Sequence, residues 1–232
     1  MSRRWIAALA TAVAVVVVCV AARAVSSSPS QTAAMPRSTP PTDVVIPPPS
    51  TGGSVAPIGP TTVVAGVPMG YRHDQAGAVS AALHFLVASE AVLAMDESAA
   101  VAAQRAMATN AAADPLAARL RSQLAAFHDG FGPGPVGYRV APVADRVTAA
   151  DAEDVAVDVW YVAVIEPPDR PAYEDWRTMR YQLVWERGDW REAAEHDDPG
   201  PRPAALSPAG AVSPADWAAG LAGFRSVGAS DG

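Results

Sequence analysis

Between Ala152 and Ala194 apolar and polar positions alternate over two long runs. In Glu153–Ile165 the residues Val155, Val157, Val159, Tyr161, Ala163 and Ile165 recur at a period of two, which predicts a strand with one apolar face. Its other face begins with Asp154 and Asp158 and continues as Trp160, Val162 and Val164, so it is half wet and half covered. In Asp175–Glu186, Arg177, Met179, Tyr181, Leu183 and Trp185 alternate with Thr178, Arg180, Gln182, Val184 and Glu186. Arg187-Gly188-Asp189 then reads as a tight turn into Trp190-Arg191-Glu192-Ala193, a hairpin signal. An earlier strand is predicted over Tyr138–Thr148. Within it Pro142 marks an edge or a one-residue bulge, because the apolar phase shifts from Tyr138 and Val140 to Val143 and Val147.

Ahead of these strands the period lengthens to that of helices. Asp74 is a candidate N-cap for a helix whose stripe is Val79, Leu83, Leu86 and Leu93. Phe85 and Val92 widen that stripe, so the helix is expected to be buried on more than one side. Asp96-Glu97-Ser98 ends or caps it, and an alanine-rich second helix follows over Ala99–Thr109. Asp114-Pro115 signals a third helix, Pro115–His128, with Leu116, Leu120, Leu124 and Phe127 on one face and Gly130 as its stop. Helices followed by consecutive strands predict an α+β fold: N-terminal helices packed on a curved antiparallel sheet of three or four strands.

The flanks are of another kind. Trp5–Ala22 is apolar and uncharged, preceded by Arg3-Arg4 and followed by Arg23. Its length is at the short end for a membrane span, and the arginines favour a cytoplasmic N-terminus. Two readings stand: an uncleaved signal anchor, or a signal peptide cleaved near Ala24 after Ala22-Arg23-Ala24, leaving a secreted protein. The anchor is preferred because the run exceeds a usual signal core. Residues 26–68 are rich in proline, serine and threonine and nearly uncharged, a disordered spacer that in polyproline form reaches on the order of 100 Å. The expected organisation is therefore a transmembrane helix at 1–25, a linker at 26–68, an α+β domain at 69–198 and a proline-rich tail at 199–232. In the tail, Ser213-Pro214-Ala215-Asp216 opens a short helix that either docks on the domain or stays loose.

Composition removes several functions. The net charge is −7, and the 17 basic residues are all arginine. An acidic chain without a concentrated basic face does not read as a nucleic-acid binder. The single cysteine, Cys19, lies in the apolar run, so the domain has neither a disulfide nor a thiolate metal site. The histidines His73, His84, His128 and His196 form no metal-spaced pair, and His73, His128 and His196 read as solvated. Gly132-Pro133-Gly134-Pro135-Val136-Gly137 spells a dinucleotide fingerprint, but a helix precedes it and a strand follows, the reverse of what phosphate binding needs. No catalytic residue, metal ligand or cofactor site is expected. The candidates for a polar pocket lining are His84 on the first helix, the paired carboxylates Asp154 and Asp158, and Tyr181.

The closing Leu183-Val184-Trp185-Glu186-Arg187-Gly188-Asp189-Trp190-Arg191 hairpin, behind N-terminal helices, resembles the nuclear-transport-factor-2-like (cystatin-like) superfamily. The opening Pro68-Met69-Gly70-Tyr71-Arg72-His73 resembles exported proteins of actinobacterial conjugative elements. One anchor, a linker and one such domain is similar to the TcpC-like assembly proteins of conjugation and type IV secretion machines. The resemblance covers about 130 residues and implies a cone-shaped domain without catalytic residues. The expected function is a membrane-anchored extracytoplasmic scaffold. It would bind the cytoplasmic membrane through its N-terminal helix, and protein partners or further copies of itself through its domain. A small-molecule-binding or enzymatic pocket, as in other members of that superfamily, is the alternative.

Overall fold

The computed structural model describes residues 58–131, 135–203 and 213–227. The expected membrane helix, and the linker up to residue 57, lie outside the described residues. The last part of the expected linker does not. Thr62–Val64 (β1) and Val67–Met69 (β2) pair as a small antiparallel hairpin, and Val67 and Met69 are fully buried. The folded region thus begins before the expected boundary at 69.

Three helices follow: α1 (Gln75–Ala94), α2 (Glu97–Met107) and α3 (Ala113–Phe131). Asp74 caps α1 by accepting the Gly77 amide at 2.8 Å, and Asp96 caps α2 by accepting the Ala99 amide at 2.9 Å. A side chain at Gly77 would collide with the Arg72 carbonyl, which sets how closely the chain folds back on α1. The third start signal is displaced. Asp114 lies inside the first turn of α3, where its carboxylate pairs with Arg105 of α2. The entry to α3 is held by Thr109, whose hydroxyl accepts the Ala112 amide and whose carbonyl accepts that of Ala113. Gly130 does not stop the helix, which continues to Phe131.

The strands β3 (Gly137–Ala150), β4 (Asp154–Glu166), β5 (Tyr173–Glu186) and β6 (Asp189–Pro199) form consecutive antiparallel hairpins. After α4 (Pro214–Gly220), the two residues of β7 (Arg225–Ser226) pair with Ala144 and Asp145 of β3. The sheet therefore has five strands, in the order β6-β5-β4-β3-β7, rather than three or four. The fifth comes from the tail, whose short helix is capped by Ser213 as its motif requires. The β5–β6 turn places Arg187 and Gly188 both at positive φ, a two-residue geometry matched to strand twist. The phase shift at Pro142 is a bulge, and a second one lies between Val147 and Ala149.

The core lies between α1 and one face of the sheet. It takes Val155, Val157, Val159, Tyr161, Ala163 and Ile165 of β4 against Ala78, Ala81, Ala82, Phe85, Leu86 and Val92 of α1. Alanines let the helix backbone approach the sheet, so the buried stripe is offset from the leucines, with Leu83 and Leu93 only partly buried. Of the described helices, α1 alone is long and apolar enough to cross a membrane, but that apolarity is spent on this core.

Trp190 is fully buried and donates its indole N–H to the Arg72 carbonyl at 2.9 Å. Beside it, Asp189 accepts the amides of Gly70 (2.7 Å), Tyr71 (3.0 Å) and Trp190 (2.9 Å). Asp189→Ala leaves these largely buried donors without their acceptor. It is expected to cost about 2–3 kcal/mol, with Asp189→Asn costing less, as read from urea unfolding followed by tryptophan fluorescence.

Candidate functional site

The chemistry-bearing side chains gather on the helix side of β4, β5 and β6. A strand exposes alternate residues to one face, so Glu192 and Glu195, three apart, should point to opposite sides. Ala193 is an extra residue in β6, and it reverses that parity: Glu192 sits opposite Leu183, Glu195 opposite Tyr181 and Asp197 opposite Met179. All three carboxylates therefore turn inward, onto the face that carries Tyr161, Arg177 and Tyr181.

Each is compensated differently. Asp197 accepts from Arg177 Nε at 2.7 Å and from the Tyr161 hydroxyl at 3.2 Å. Glu195 faces Arg119 of α3 at 3.8 Å, and the same guanidinium donates to the Glu195 carbonyl at 2.8 Å. Glu192 is 1 % exposed. Its Oε2 accepts from Gln104 of α2 at 3.1 Å, and its Oε1 has no hydrogen-bond partner among the described residues. Burial, reinforced by the neighbouring Glu195 charge, pushes the Glu192 carboxyl well above the usual carboxylate range. Burial also raises Glu195 and Asp197, against the opposing pull of Arg119 and Arg177 respectively. The Tyr138 phenol is pushed up to about 12 by burial and the nearby Asp197, and Tyr161 and Tyr181 are also pushed well up, chiefly by burial. Of these phenols, Tyr161 donates its hydroxyl proton to Asp197.

The four residues singled out from the sequence do not converge. Asp154 and Asp158 lie on the outer face of the sheet, opposite to Tyr181, which is buried in the core. Asp154 accepts from Gln182, and Asp158 pairs with Arg146 at 2.6 Å and faces Arg180 at 3.9 Å. His84 keeps its ring within its own helix: Nδ1 lies 2.7 Å from the Ser80 carbonyl, and the ring tilts against Tyr71. His73 is not simply solvated but stacks on Trp185 at 3.9 Å.

The tail explains why Asp158 is buried. Arg146 donates to the Ala222 carbonyl and lies 4.5 Å over the Phe224 ring, while Trp160 donates to the Pro201 carbonyl and packs against Trp176 and Trp217. The part of the outer face around Trp160 and Arg146 is thus covered by the chain's own C-terminal strap.

Two surface depressions flank β6. One, of about 370 Å³, is lined by Thr109, Ala112, Leu116, Arg119, Ala194 and Glu195. The other, of about 410 Å³, lies across Arg146, Asp158, Arg180, Gln182 and His196. Among the described residues no group of three His, Cys, Asp or Glu side chains is arranged to hold a metal ion. The sequence shows Glu192–Asp198 only as an acidic stretch, with nothing to mark its carboxylates as inward. The usable signal, Glu195-x-Asp197 at strand spacing beyond the hairpin, marks a shared face but not which one.

A family model described as "Domain of unknown function (DUF8175)" matches residues 18–213. No curated protein matches the chain. One solved structure, the crystal structure of the intermembrane space region of the chloroplast protein ARC6, is 15% identical with a TM-score of 0.36. That alignment covers 56% of this chain and 99% of that one, and at this score the likeness carries no argument.

A carboxyl whose folded pKa is raised contributes stability below its unfolded value and loses it as pH rises through the folded one. Glu192, Glu195 and Asp197 all act in that direction. Asp96, held low by the Ser98 hydroxyl and the Ala99 amide, acts oppositely, losing its contribution as pH falls through its folded value. Thermal stability is therefore expected to fall between about pH 5 and about pH 8, and Glu192→Gln to flatten that fall. Differential scanning calorimetry across this range checks both.

Proposed function

The chain belongs to the DUF8175 family, and we propose that it acts as a membrane-tethered extracytoplasmic interaction domain, a scaffold within a conjugation, secretion or envelope assembly. The observation that carries this reading is the order of segments. An uncharged apolar run between arginines leads into a proline-rich spacer, and the spacer into a domain with a filled interior. The family match includes the spacer together with the domain, which supports their acting as one unit.

Helices packed on one face of consecutive antiparallel strands support the nuclear-transport-factor-2-like reading of the domain. The likeness to TcpC-like assembly proteins extends that reading to a conjugation or type IV secretion apparatus. A small-molecule pocket between α1 and the sheet is favoured less, because Phe85, Leu86, Tyr161, Tyr181 and Leu183 fill that space. Function then resides in surfaces, and the spacer sets how far from the membrane they are presented.

Cell fractionation of the full chain carrying a C-terminal tag tests the tether. The expected result is a membrane-bound protein that resists alkaline carbonate and whose tag is cut by protease added to intact spheroplasts. Recovery in the cytoplasm overturns the reading, and release of a shortened species beginning near Ala24 overturns the tether while keeping the export.

A further inference from the structure

The segment joining α2 to α3 is fastened to β6 largely by polar contacts. Ala108 makes an isolated parallel bridge to Glu192, and the Thr109 amide donates to the Glu192 carbonyl at 2.9 Å. Arg187 donates to the Ala108 carbonyl at 2.7 Å, Arg191 to that of Ala106, and Glu186 accepts the Asn110 amide at 2.9 Å. Further along, Arg119 holds α3 on the Glu195 carbonyl. The apolar part of this joint is small: Ala108, Ala112 and Leu116 form a buried cluster apart from the main core.

Glu192 is the centre of the joint through both its backbone and its side chain. The groups that face it are Gln104 from α2, Arg119 from α3, Tyr181 from β5 and Glu195 from β6. Asp197 adds its charge to Glu195, but its own partners are Arg177 and Tyr161. His196 points away on the outer strand face and is exposed. The pair thus has two carboxylates and one guanidinium, Arg119. These three side chains are neutral together only when one proton sits on the pair. On Glu192 Oε1, that proton turns an orphaned acceptor into a donor beside Glu195.

We propose that the Glu192–Glu195 pair is a proton-operated latch that seats the 106–119 segment on β6 when it holds one proton and releases it when that proton is lost. Loss of the proton leaves two anions, Glu192 fully buried, facing one partly exposed arginine, which lifting the segment relieves by hydrating them. Lifting it also uncovers the β6 edge and widens the depression beneath Leu116. A domain presented outside the cytoplasm meets varying pH, and the latch makes its exposed edge depend on that pH.

Hydrogen exchange of the full chain in detergent micelles, from about pH 5 to about pH 8 and corrected for intrinsic exchange, tests this. Opening releases one proton, so protection over 106–119 is expected to fall by up to about tenfold per pH unit. Over 155–163 of β4, which exchanges by global unfolding, protection should follow the global stability and stay well above that of 106–119 at every pH. Glu192→Gln and Glu195→Gln each leave one carboxylate for Arg119, and each is expected to keep 106–119 protected across the range. A level wild-type profile overturns the latch. So does a fall that persists in either variant, or protection over 106–119 equal to that over β4, which is global unfolding. If one variant fails to fold, the other and the wild-type titration still decide.

Discussion

Asp189 and Trp190, adjacent at the start of β6, tie together parts of the chain nearly 120 residues apart. The carboxylate takes the amides that follow β2, and the indole takes the carbonyl that precedes the α1 cap. Four things meet there: the small N-terminal hairpin, the entry to α1, the turn between β5 and β6, and the stack of His73 on Trp185. The constraint is one of satisfaction. Backbone groups at the mouth of a helix cannot be buried unpaired, and here the acceptor and donor come from the far end of the fold. Where α1 lies on the sheet, and hence where α2 and α3 can go, follows from that junction.

The two sheet faces solve the problem of burial in different ways. On the inner face apolar residues of β4 meet alanines of α1, and acidic residues of β6 are admitted only where Arg177, Arg119, Gln104 or a tyrosine hydroxyl reaches them. Glu192 is the least well compensated of these, and it stands at the joint rather than in the centre of the core. On the outer face the tail covers Trp160 and supplies the Ala222 carbonyl and Phe224 ring to Arg146. Without the tail a wide apolar patch beside charged residues would face water.

Both sheet edges are blunted. On β3, the Val140 amide donates to Glu90 of α1, Pro142 removes a donor, two bulges break the line, and β7 covers Ala144 and Asp145. On β6, the bulge at Ala193, the Thr109 bond and Arg119 do the same. Such devices keep strands from pairing with other chains. Each edge combines devices built into the strand, Pro142 and its bulges on β3 and the Ala193 bulge on β6, with cover from other elements, Glu90 and β7 on β3 and the 106–119 segment on β6.

The long strands, their inner apolar face, the Arg187-Gly188 turn, the bulge at Pro142 and the caps at Asp74 and Ser213 were all legible in the sequence. Each is a local matter of side-chain period, backbone φ or a hydroxyl or carboxylate within three residues of an amide. The burial of Val67 and Met69 was not legible, because three-residue strands are too short to show a period. Nor was the fifth strand, two residues long and defined only by its contact with β3. The placement of His84, Asp154, Asp158 and Tyr181 on separate surfaces needed the register. The inward turn of Glu192, Glu195 and Asp197 was decided by tertiary structure alone. An acidic strand reads as solvated until one extra residue reverses its parity, and until groups from distant elements are there to receive its charge.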